Sequence, residues 1–339
     1  EMQRSLVGSE MCIRDSPDAK AVFVNNPTYY GVCSDIKKIA DLAHAHGMYL
    51  LADEAHGTHF YFGDNMPLAG MKAGADFAAV SMHKSGGSLT QSSFLLTADT
   101  VNEGYVRQII NLMQTTSGSY LLMSSLDISR RNLALHGREI FAKVQSYAQY
   151  MRDEINEIGG YYAFSKELCD GGAFYDFDVT KLSIHTRDIG LAGIEVYDIL
   201  RDRYGIQIEF GDIGNILAYV SIGDRELYLD RLIGALNDIK RIYSKDKTGM
   251  LDHEYINPIV KLSPQDAFYG NKKSVPIEQS SGKISGEFVM CYPPGIPILA
   301  PGEQITDEIL AYIKYAGDKG CFLTGTQDLE IKNIMILDE

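Results

Sequence analysis

A lysine within residues 75–93 has neighbours that suit covalent chemistry. Phe77 to Val80 is a short apolar run typical of a buried strand, and Ser81-Met82-His83-Lys84 follows it directly. Because Lys84 comes so soon after a buried strand, we expect its amine to be partly desolvated, which disfavours the charged form. A neutral amine is what Schiff-base chemistry requires. Ser81 offers a hydroxyl to a phosphate, and the pair Gly86-Gly87 lets the backbone approach a ligand closely.

A second apolar run ends in a carboxylate. Residues 48–52 are followed by Asp53-Glu54-Ala55-His56-Gly57, so Asp53 and Lys84 are predicted to lie at the carboxyl ends of successive strands. Open α/β sheets bind their ligands at that edge. The combination suits pyridoxal phosphate, because Lys84 can form the Schiff base while Asp53 pairs with the pyridinium nitrogen. A nitrogen that is kept protonated lets the ring accept electrons.

These motifs resemble the cofactor site of the fold-type I ornithine/lysine/arginine decarboxylases. The similarity runs from about Pro17 to the end of the chain, and within the family the shorter arginine decarboxylases are the most similar. The motifs that carry the resemblance are Asp53-Glu54-Ala55-His56-Gly57, Ser81-Met82-His83-Lys84, Leu89-Thr90-Gln91, Gln114-Thr115-Thr116-Ser117-Gly118-Ser119-Tyr120, Ser125-Leu126-Asp127, Tyr292-Pro293-Pro294-Gly295-Ile296-Pro297 and Pro301-Gly302-Glu303.

The resemblance implies a fold and an activity. The fold is α/β, with a partial large domain of fold-type I (aspartate aminotransferase-like), a small α/β domain and a C-terminal α+β domain. The cofactor is pyridoxal 5'-phosphate, and the reaction is decarboxylation of a basic amino acid. Arginine to agmatine, in polyamine biosynthesis, is the first expectation, followed by lysine to cadaverine or ornithine to putrescine. The resemblance also implies a homodimer or higher homo-oligomer with the active site at its interface.

Each candidate site residue also has a structural alternative. Lys84 could be a surface lysine after a turn, and Asp53 could cap the following helix. His83 is expected to contact the cofactor phosphate or the substrate carboxylate, or else to be a packed imidazole. His56 occupies a family motif position from which it could reach the cofactor's phenolic oxygen or the substrate. Ser81 is expected to bind the phosphate.

The remaining elements divide the chain after residue 16 into three predicted segments. Residues 17–135 form part of the cofactor-binding domain, 136–249 a linking helix and small domain, and 250–339 the C-terminal domain. The linking helix is predicted from Leu126 to Ile158, stopped by Gly159-Gly160. The small domain alternates three strands with two helices: the strands Phe174 to Val179, Ile206 to Phe210 and Leu217 to Ile222, and the helices Ile194 to Tyr204 and Arg225 to Tyr243.

Two features concern the beginning of the chain. Residues 1–16 have neither a strand period nor a sustained helical period, and they are interpreted as a non-native segment. The elements that the family uses for its phosphate-binding loop and its ring-stacking histidine cannot be placed in the sequence. We therefore expect the chain to be truncated at its N-terminus.

Composition argues against several kinds of partner. A formal net charge of −14 argues against nucleic acid or an anionic membrane surface. No apolar run approaches the ~18 residues of a membrane helix. The five cysteines are scattered and include no Cys-x-x-Cys pair, so neither a zinc site nor a disulfide framework is indicated. Reduced thiols in a cytoplasmic protein are the expectation.

Other functional classes fit less well. Asp53-Glu54-Ala55-His56 spells a helicase box, but the sequence has no Gly-x-x-x-x-Gly-Lys-[Ser/Thr] phosphate loop. His56 and His59 have the wrong spacing for a helical metal-binding pair, so no metal site is predicted. Two alternatives stay open: a catalytically incompetent fragment of the decarboxylase, and a pyridoxal-phosphate-dependent aminotransferase.

Overall fold

A computed structural model describes residue 16 and residues 18–247, 256–292 and 295–338. The segment interpreted as non-native therefore lies outside the described residues except for Ser16, as do Pro293 and Pro294 of the proline-rich motif. The chain divides into two compact units. The first unit comprises Glu1–Glu157, Ala163–Ser183 and Tyr219–Ile233, and the second comprises Ile158–Tyr162, Ile184–Ala218 and Gly234–Glu339.

The described residues form strands and helices with the following bounds. The strands are β1 (Ala21–Asn25), β2 (Val32–Cys33), β3 (Tyr49–Asp53), β4 (Phe77–Val80), β5 (Phe94–Thr97), β6 (Tyr162–Ala163), β7 (Asp176–Phe177), β8 (Lys181–His185), β9 (Phe210–Gly211), β10 (Asn215–Tyr219), β11 (Lys272–Pro276), β12 (Val289–Tyr292), β13 (Ile296–Leu299), β14 (Phe322–Thr324) and β15 (Asn333–Leu337). The α-helices are α1 (Ile36–Ala45), α2 (Gly70–Ala73), α3 (Met82–Ser85), α4 (Glu103–Met113), α5 (Tyr120–Ile158), α6 (Gly193–Tyr204), α7 (Glu226–Tyr243), α8 (Pro264–Tyr269) and α9 (Asp307–Asp318). Short 3-10 helices occupy Thr58–Tyr61, Lys166–Leu168, Arg187–Ile189 and Ile277–Gln279.

The first unit is built on a four-stranded sheet in the order β1-β3-β4-β5. β1, β3 and β4 are parallel, and β5 is antiparallel to β4. Asp53 pairs with Asn25 on one side and with Ala79 on the other. This register places the last residue of β3 at the carboxyl edge of the sheet.

Helix α1 covers one face of this sheet. Its apolar residues recur every three to four positions, and Ile36, Ile39, Ala40 and Ala43 are all buried against Leu50 and its neighbours. The Asp35 side chain accepts a hydrogen bond from the Lys38 N–H and caps the helix. Burying each large aliphatic side chain of this kind contributes roughly 1.5–3 kcal/mol.

The long helix α5 begins six residues before its predicted start and ends where predicted, at Ile158. Its buried side chains include Leu133, Phe141, Val144, Met151 and Ile155, spaced three to eight residues apart along one stripe. Gly159 and Gly160 follow with positive φ angles of 71° and 76°, a conformation that favours glycine and ends the helix.

The predicted strand from Phe174 to Val179 is wrong in its bounds. The structure instead has the two-residue strand β7, paired antiparallel with β2, and then a separate strand, β8. The reason is a turn at Asp178, whose carboxylate accepts hydrogen bonds from both the N–H and the hydroxyl of Thr180. This turn interrupts the apolar run and makes Lys181 the first residue of β8.

The second unit contains the other strands that sequence reasoning misplaced. A strand is expected from Ile206 to Phe210, but the structure has only the two-residue strand β9 (Phe210–Gly211) there. β9 pairs antiparallel with β10, which starts at Asn215, two residues before the predicted start at Leu217. The helices α6 and α7 agree with prediction to within one residue at each end. The predicted domain boundaries at residues 135 and 249 stay predictions.

The C-terminal part of the second unit has its own apolar core. β12 pairs with β13 and β14, and β11 pairs with β15. Helix α9, capped by the Thr306 side chain, contributes buried isoleucines to this core. The core residues are Val289, Leu299, Ile305, Ile309, Ile313, Ile331, Ile334 and Ile336. Among the helices of the described residues, we find none with the length and apolar character that crossing a membrane requires.

A buried arginine, Arg152, supplies hydrogen bonds to several backbone carbonyls of the first unit. The Arg152 guanidinium on α5 is 3% exposed and donates hydrogen bonds to the backbone carbonyls of Phe164, Ala148, Val179 and Lys181 at 3.0–3.3 Å. It lies over the Phe177 ring at 5.9 Å from the centroid. The carbonyls of Val179 and Lys181, where β8 begins, therefore share the donors of one side chain.

We expect Arg152→Met to lower the free energy of unfolding by about 3 kcal/mol or more, because buried carbonyls lose their donors. Arg152→Lys, which keeps a charge and one donor group, should lose less. Urea denaturation at neutral pH measures both changes. Arg138 on the same helix is 84% exposed, so Arg138→Met is the matched control and should stay within about 0.5 kcal/mol of the parent. An Arg152→Met protein as stable as this control would contradict the assigned role.

Candidate active site

Two motifs predicted to meet at the carboxyl edge of the sheet do so. Asp53 ends β3, and the next strand of the sheet, β4, ends three residues before His83 and four before Lys84. These last two residues lie on α3, a single helical turn whose Lys84 N–H donates to the Ser81 carbonyl at 3.1 Å. The parallel pairing of β3 and β4 thus brings both motifs to one edge.

The amine of Lys84 is exposed, so the partial desolvation expected from the sequence is wrong. The reason is the helical turn. Met82 and Ser85 occupy its buried face, whereas Lys84 points to the opposite side. Gly86 closes the turn, and a Cβ there would lie 1.9 Å from the Met82 sulfur. Lys84 is therefore held on a rigid, solvent-facing turn.

The imidazole of His56 lies between two lysine amines. Its Nε2 is 3.3 Å from Lys84 Nζ, and its Nδ1 is 3.1 Å from Lys181 Nζ. The ring also packs against Tyr29, with 4.3 Å between the centroids. Burial, together with the positive charges of Lys181 and Lys84, lowers the pKa of His56 from 6.5 to about 2. His56 is therefore a neutral imidazole at physiological pH.

Sequence reasoning missed the second amine. Lys181 is only 2% exposed although it is a lysine, and it begins β8. Its Nζ lies 4.2 Å from the centroid of the Tyr219 ring and 5.6 Å from that of Tyr29, distances suited to cation–π attraction. The sequence does carry a signal. Lys181 is the first residue of the stretch Lys181-Leu182-Ser183-Ile184, in which polar and apolar residues alternate as in a strand, so the lysine could have been placed on a strand.

A buried acid–base pair lies beside this amine. The Nε2 of His59 is 2.9 Å from Asp178 Oδ2, and both side chains are fully buried. Burial by itself would raise the pKa of Asp178, but the His59 and Lys181 charges and the hydrogen bond from Thr180 hold it below its usual range. Asp178 is therefore a buried carboxylate that offsets positive charge near His56.

The other predicted site residues make the following contacts. Asp53 Oδ1 accepts a hydrogen bond from the Ala55 N–H at 3.0 Å, so the carboxylate caps a turn, not a helix. His83 Nδ1 lies 3.0 Å from the Ser92 carbonyl, which leaves its Nε2 for another partner. Ser81 stands at the N-cap position of α3, but its side chain makes no capping hydrogen bond.

Glu54, next to Asp53, is fully buried and points away from the lysines. It accepts hydrogen bonds from the Gly70 N–H at 2.7 Å and from the Tyr61 hydroxyl. Burial raises the pKa of Glu54 from 4.5 to about 7, with the Tyr61 and Gly70 hydrogen bonds opposing the shift and Asp53 adding to it. Glu54 thus connects the end of β3 to the 3-10 helix Thr58–Tyr61 and to the first residue of α2. Its contacts lie away from the helical turn that carries Lys84.

Comparison with protein families gives two matches. Residues 1–227 match the family described as Orn/Lys/Arg decarboxylase, major domain, and residues 248–324 match that family's C-terminal domain. The arginine decarboxylase of Bacillus subtilis (strain 168) is 41% identical over 99% of this chain and 69% of its own length. The arginine decarboxylase of Halalkalibacterium halodurans is 42% identical over 97% of this chain and 68% of its own length.

Solved structures show the same fold. Lysine decarboxylase A from Pseudomonas aeruginosa superposes with a TM-score of 0.76 at 17% identity, covering 100% of this chain and 61% of its own. The Francisella novicida lysine decarboxylase gives 0.74 at 19% identity, covering 97% of this chain and 60% of its own. This chain thus spans about 60% of the length of these solved relatives. An alanine–glyoxylate aminotransferase from Nostoc sp. gives 0.55 at 16% identity, with coverage of 69% and 65%. The prediction of a fold-type I architecture is confirmed.

We expect the Glu54 carboxyl to make stability depend on pH. A carboxyl whose pKa is higher in the folded state stabilises the fold fully below its unfolded value of 4.5 and loses that contribution as the pH rises through about 7. The shift corresponds to about 3 kcal/mol. The parent protein should therefore lose about 3 kcal/mol more than Glu54→Gln between pH 4.5 and pH 8 in urea denaturation.

The control for this experiment is Glu139→Gln, which removes an exposed carboxyl from α5. It should leave the pH dependence of unfolding unchanged. Equal pH dependence in the parent and Glu54→Gln would show that Glu54 does not have the raised pKa.

Proposed function

This chain belongs to the Orn/Lys/Arg decarboxylase family, and from that premise we propose that it carries active-site residues of a pyridoxal-phosphate-dependent amino-acid decarboxylase. The observation that carries the proposal is the Lys84 amine 3.3 Å from His56, at the same sheet edge as the Asp53 carboxylate. The proposed reaction is arginine to agmatine, with lysine and ornithine as the next substrates. Support for arginine comes from the two relatives at 41% and 42% identity, both named arginine decarboxylases.

The residues at this edge fit the proposed cofactor. Pyridoxal phosphate supplies an electron-accepting ring that weakens the bonds to the substrate's α-carbon. Lys84 would hold it through its aldehyde carbon, and Asp53 would pair with the ring nitrogen. His56 would contact the phenolic oxygen, and Ser81 and His83 would bind the phosphate. Three features suit these roles. Lys84 is exposed, and the Ser81 side chain makes no capping hydrogen bond. His83 contacts the Ser92 carbonyl through Nδ1, and its Nε2 has no hydrogen-bond partner among the described residues.

Each residue then has a separate task in the proposed reaction. Asp53 stabilises positive charge at the ring nitrogen, because a carboxylate favours the protonated form of a neighbouring base. Lys84 would hold the cofactor before the substrate binds, and its Nζ would afterwards be available to carry a proton. Either Lys84 or His83 would supply the proton that takes the place of the carboxyl group on the substrate's α-carbon.

We also propose that a second copy of this chain covers the exposed apolar face of α4. All residues of α4 are described and none is buried, although the helix is strongly amphipathic. Tyr105, Ile109 and Leu112 recur at helical spacing and are 63%, 42% and 79% exposed. Tyr120 and Leu121, which begin α5, are equally exposed. Exposed apolar faces of this kind are usually interfaces, and most soluble oligomers are symmetric copies of one chain.

The cytoplasm is the proposed location. The four described cysteines, Cys33, Cys169, Cys291 and Cys321, are free thiols, which suits a reducing compartment. An amine product formed there would serve polyamine biosynthesis.

The cofactor proposal predicts where pyridoxal phosphate attaches. Full-length protein incubated with the cofactor, reduced with borohydride and digested should carry a pyridoxyl group on Lys84, and Lys84→Ala should lose it. Lys314→Ala, which removes an exposed lysine from α9, is the matched control and should keep the adduct. Agmatine formation from arginine, measured by mass spectrometry beside lysine and ornithine, then tests the substrate. An adduct on Lys181, or one that survives in Lys84→Ala, would be evidence against the proposed site.

The interface proposal predicts a change of mass. Ile109→Glu/Leu112→Glu should weaken self-association at least tenfold, because each buried apolar side chain contributes about 1.5–3 kcal/mol. Analytical ultracentrifugation should show the dimer of the parent replaced by the monomer at micromolar concentration. Tyr269→Glu, at a site 80% exposed on α8, introduces the same charge elsewhere and should remain dimeric. A monomeric parent, or an unchanged dimer in the double variant, would exclude this face.

A further inference from the structure

The proposed reaction assigns no role to the Lys181 amine. This amine is buried, it begins a strand, and it lies 3.1 Å from His56 Nδ1. Its neighbours suit a cation. The rings of Tyr219 and Tyr29 face it, and its charge acts on the buried carboxylate of Asp178. Lys181 is therefore placed to act as an ammonium group, with three donors and no acceptor.

The hydrogen bonds around His56 then allow one arrangement only. A neutral imidazole has one N–H donor and one acceptor lone pair. Because the Lys181 ammonium can only donate, Nδ1 must be the acceptor and the proton must lie on Nε2. That proton is directed at Lys84 Nζ, 3.3 Å away. Lys84 is exposed, so its own N–H groups can turn toward water.

We propose that Lys181 is a positioning residue that fixes His56 as the Nε2–H tautomer, with this donor directed to the side where Lys84 lies. The inference rests on the proposed function for its purpose, which is donation of a hydrogen bond to the cofactor's phenolic oxygen. The tautomer itself follows from Lys181, His56 and their separations. The same Nε2–H is a donor for a cofactor oxygen once Lys84 is engaged.

The charges that face His56 from the surrounding elements keep the ring neutral. Lys181 of β8, Lys84 of α3 and His59 of the 3-10 helix Thr58–Tyr61 all disfavour a proton on it, and only Asp178 favours one. A protonated ring would donate from both nitrogens and meet two amines that also donate. The arrangement is therefore stable only with a neutral His56.

Nitrogen-15 NMR of the histidine rings tests the tautomer without cofactor or substrate. In the parent chain His56 should show an unprotonated Nδ1 and a protonated Nε2, and it should not titrate between pH 5 and pH 8. Lys181→Met should raise the pKa of His56 and allow a proton on Nδ1, because a lowering charge and the fixed donor are both lost. Lys181→Arg keeps a cationic donor and should restore the parent tautomer.

A folding control accompanies these spectra. Circular dichroism melts would identify a Lys181→Met protein that fails to fold, in which case the parent spectrum and Lys181→Arg decide the question.

The outcomes separate this inference from the proposed function. A parent His56 with its proton on Nδ1, or a His56 tautomer and pKa that Lys181→Met leaves unchanged in a folded protein, would overturn the role of Lys181 even if Lys84 binds the cofactor. An Nε2–H tautomer together with a missing pyridoxyl adduct would support the role of Lys181 in ordering the ring and count against the decarboxylase proposal alone.

Discussion

Burial of the Lys181 amine is the constraint around which the first unit is arranged. Gly31 has a positive φ of 99°, and a Cβ there would lie 2.9 Å from the Lys181 Cβ, so the turn before β2 leaves room for the lysine stem. Arg152 donates to the Lys181 carbonyl and fixes the start of β8. Asp178 supplies an opposite charge and Tyr219 a ring face. A buried ammonium without such compensation would be strongly destabilising.

The sheet and this buried amine act on the same imidazole from opposite sides. Parallel pairing of β3 with β4 fixes where the chain leaves the sheet, so the loop after Asp53 carries His56 toward the turn that bears Lys84. β8 approaches with Lys181 from the other side of the ring. One side chain on a turn is thereby held by two elements that are far apart in sequence. Such double support is what keeps a functional group within a fraction of an ångström of a working geometry.

The parts of the site that are local in sequence could be predicted, and the parts that depend on distant contacts could not. Asp53 and Lys84 each follow a short apolar strand, and strand ends meet at one edge when the strands are parallel. Lys181 lies 125 residues from its partner His56, and the Asp178 turn splits the apolar run that would have placed it. The expected desolvation of Lys84 failed for a local reason, because a single helical turn reverses which side chains face the core.

Two lysines beside one imidazole raise the question of which one reacts with an aldehyde. Burial decides it. Lys181 is buried beside the Tyr219 ring, and its amine lies next to His56 and near the Asp178 carboxylate. An aldehyde therefore does not reach it. Lys84 is exposed and lies at the sheet edge that also carries Asp53, so an aldehyde can reach it. The buried amine therefore orients the imidazole that faces the exposed one, and it does not itself react.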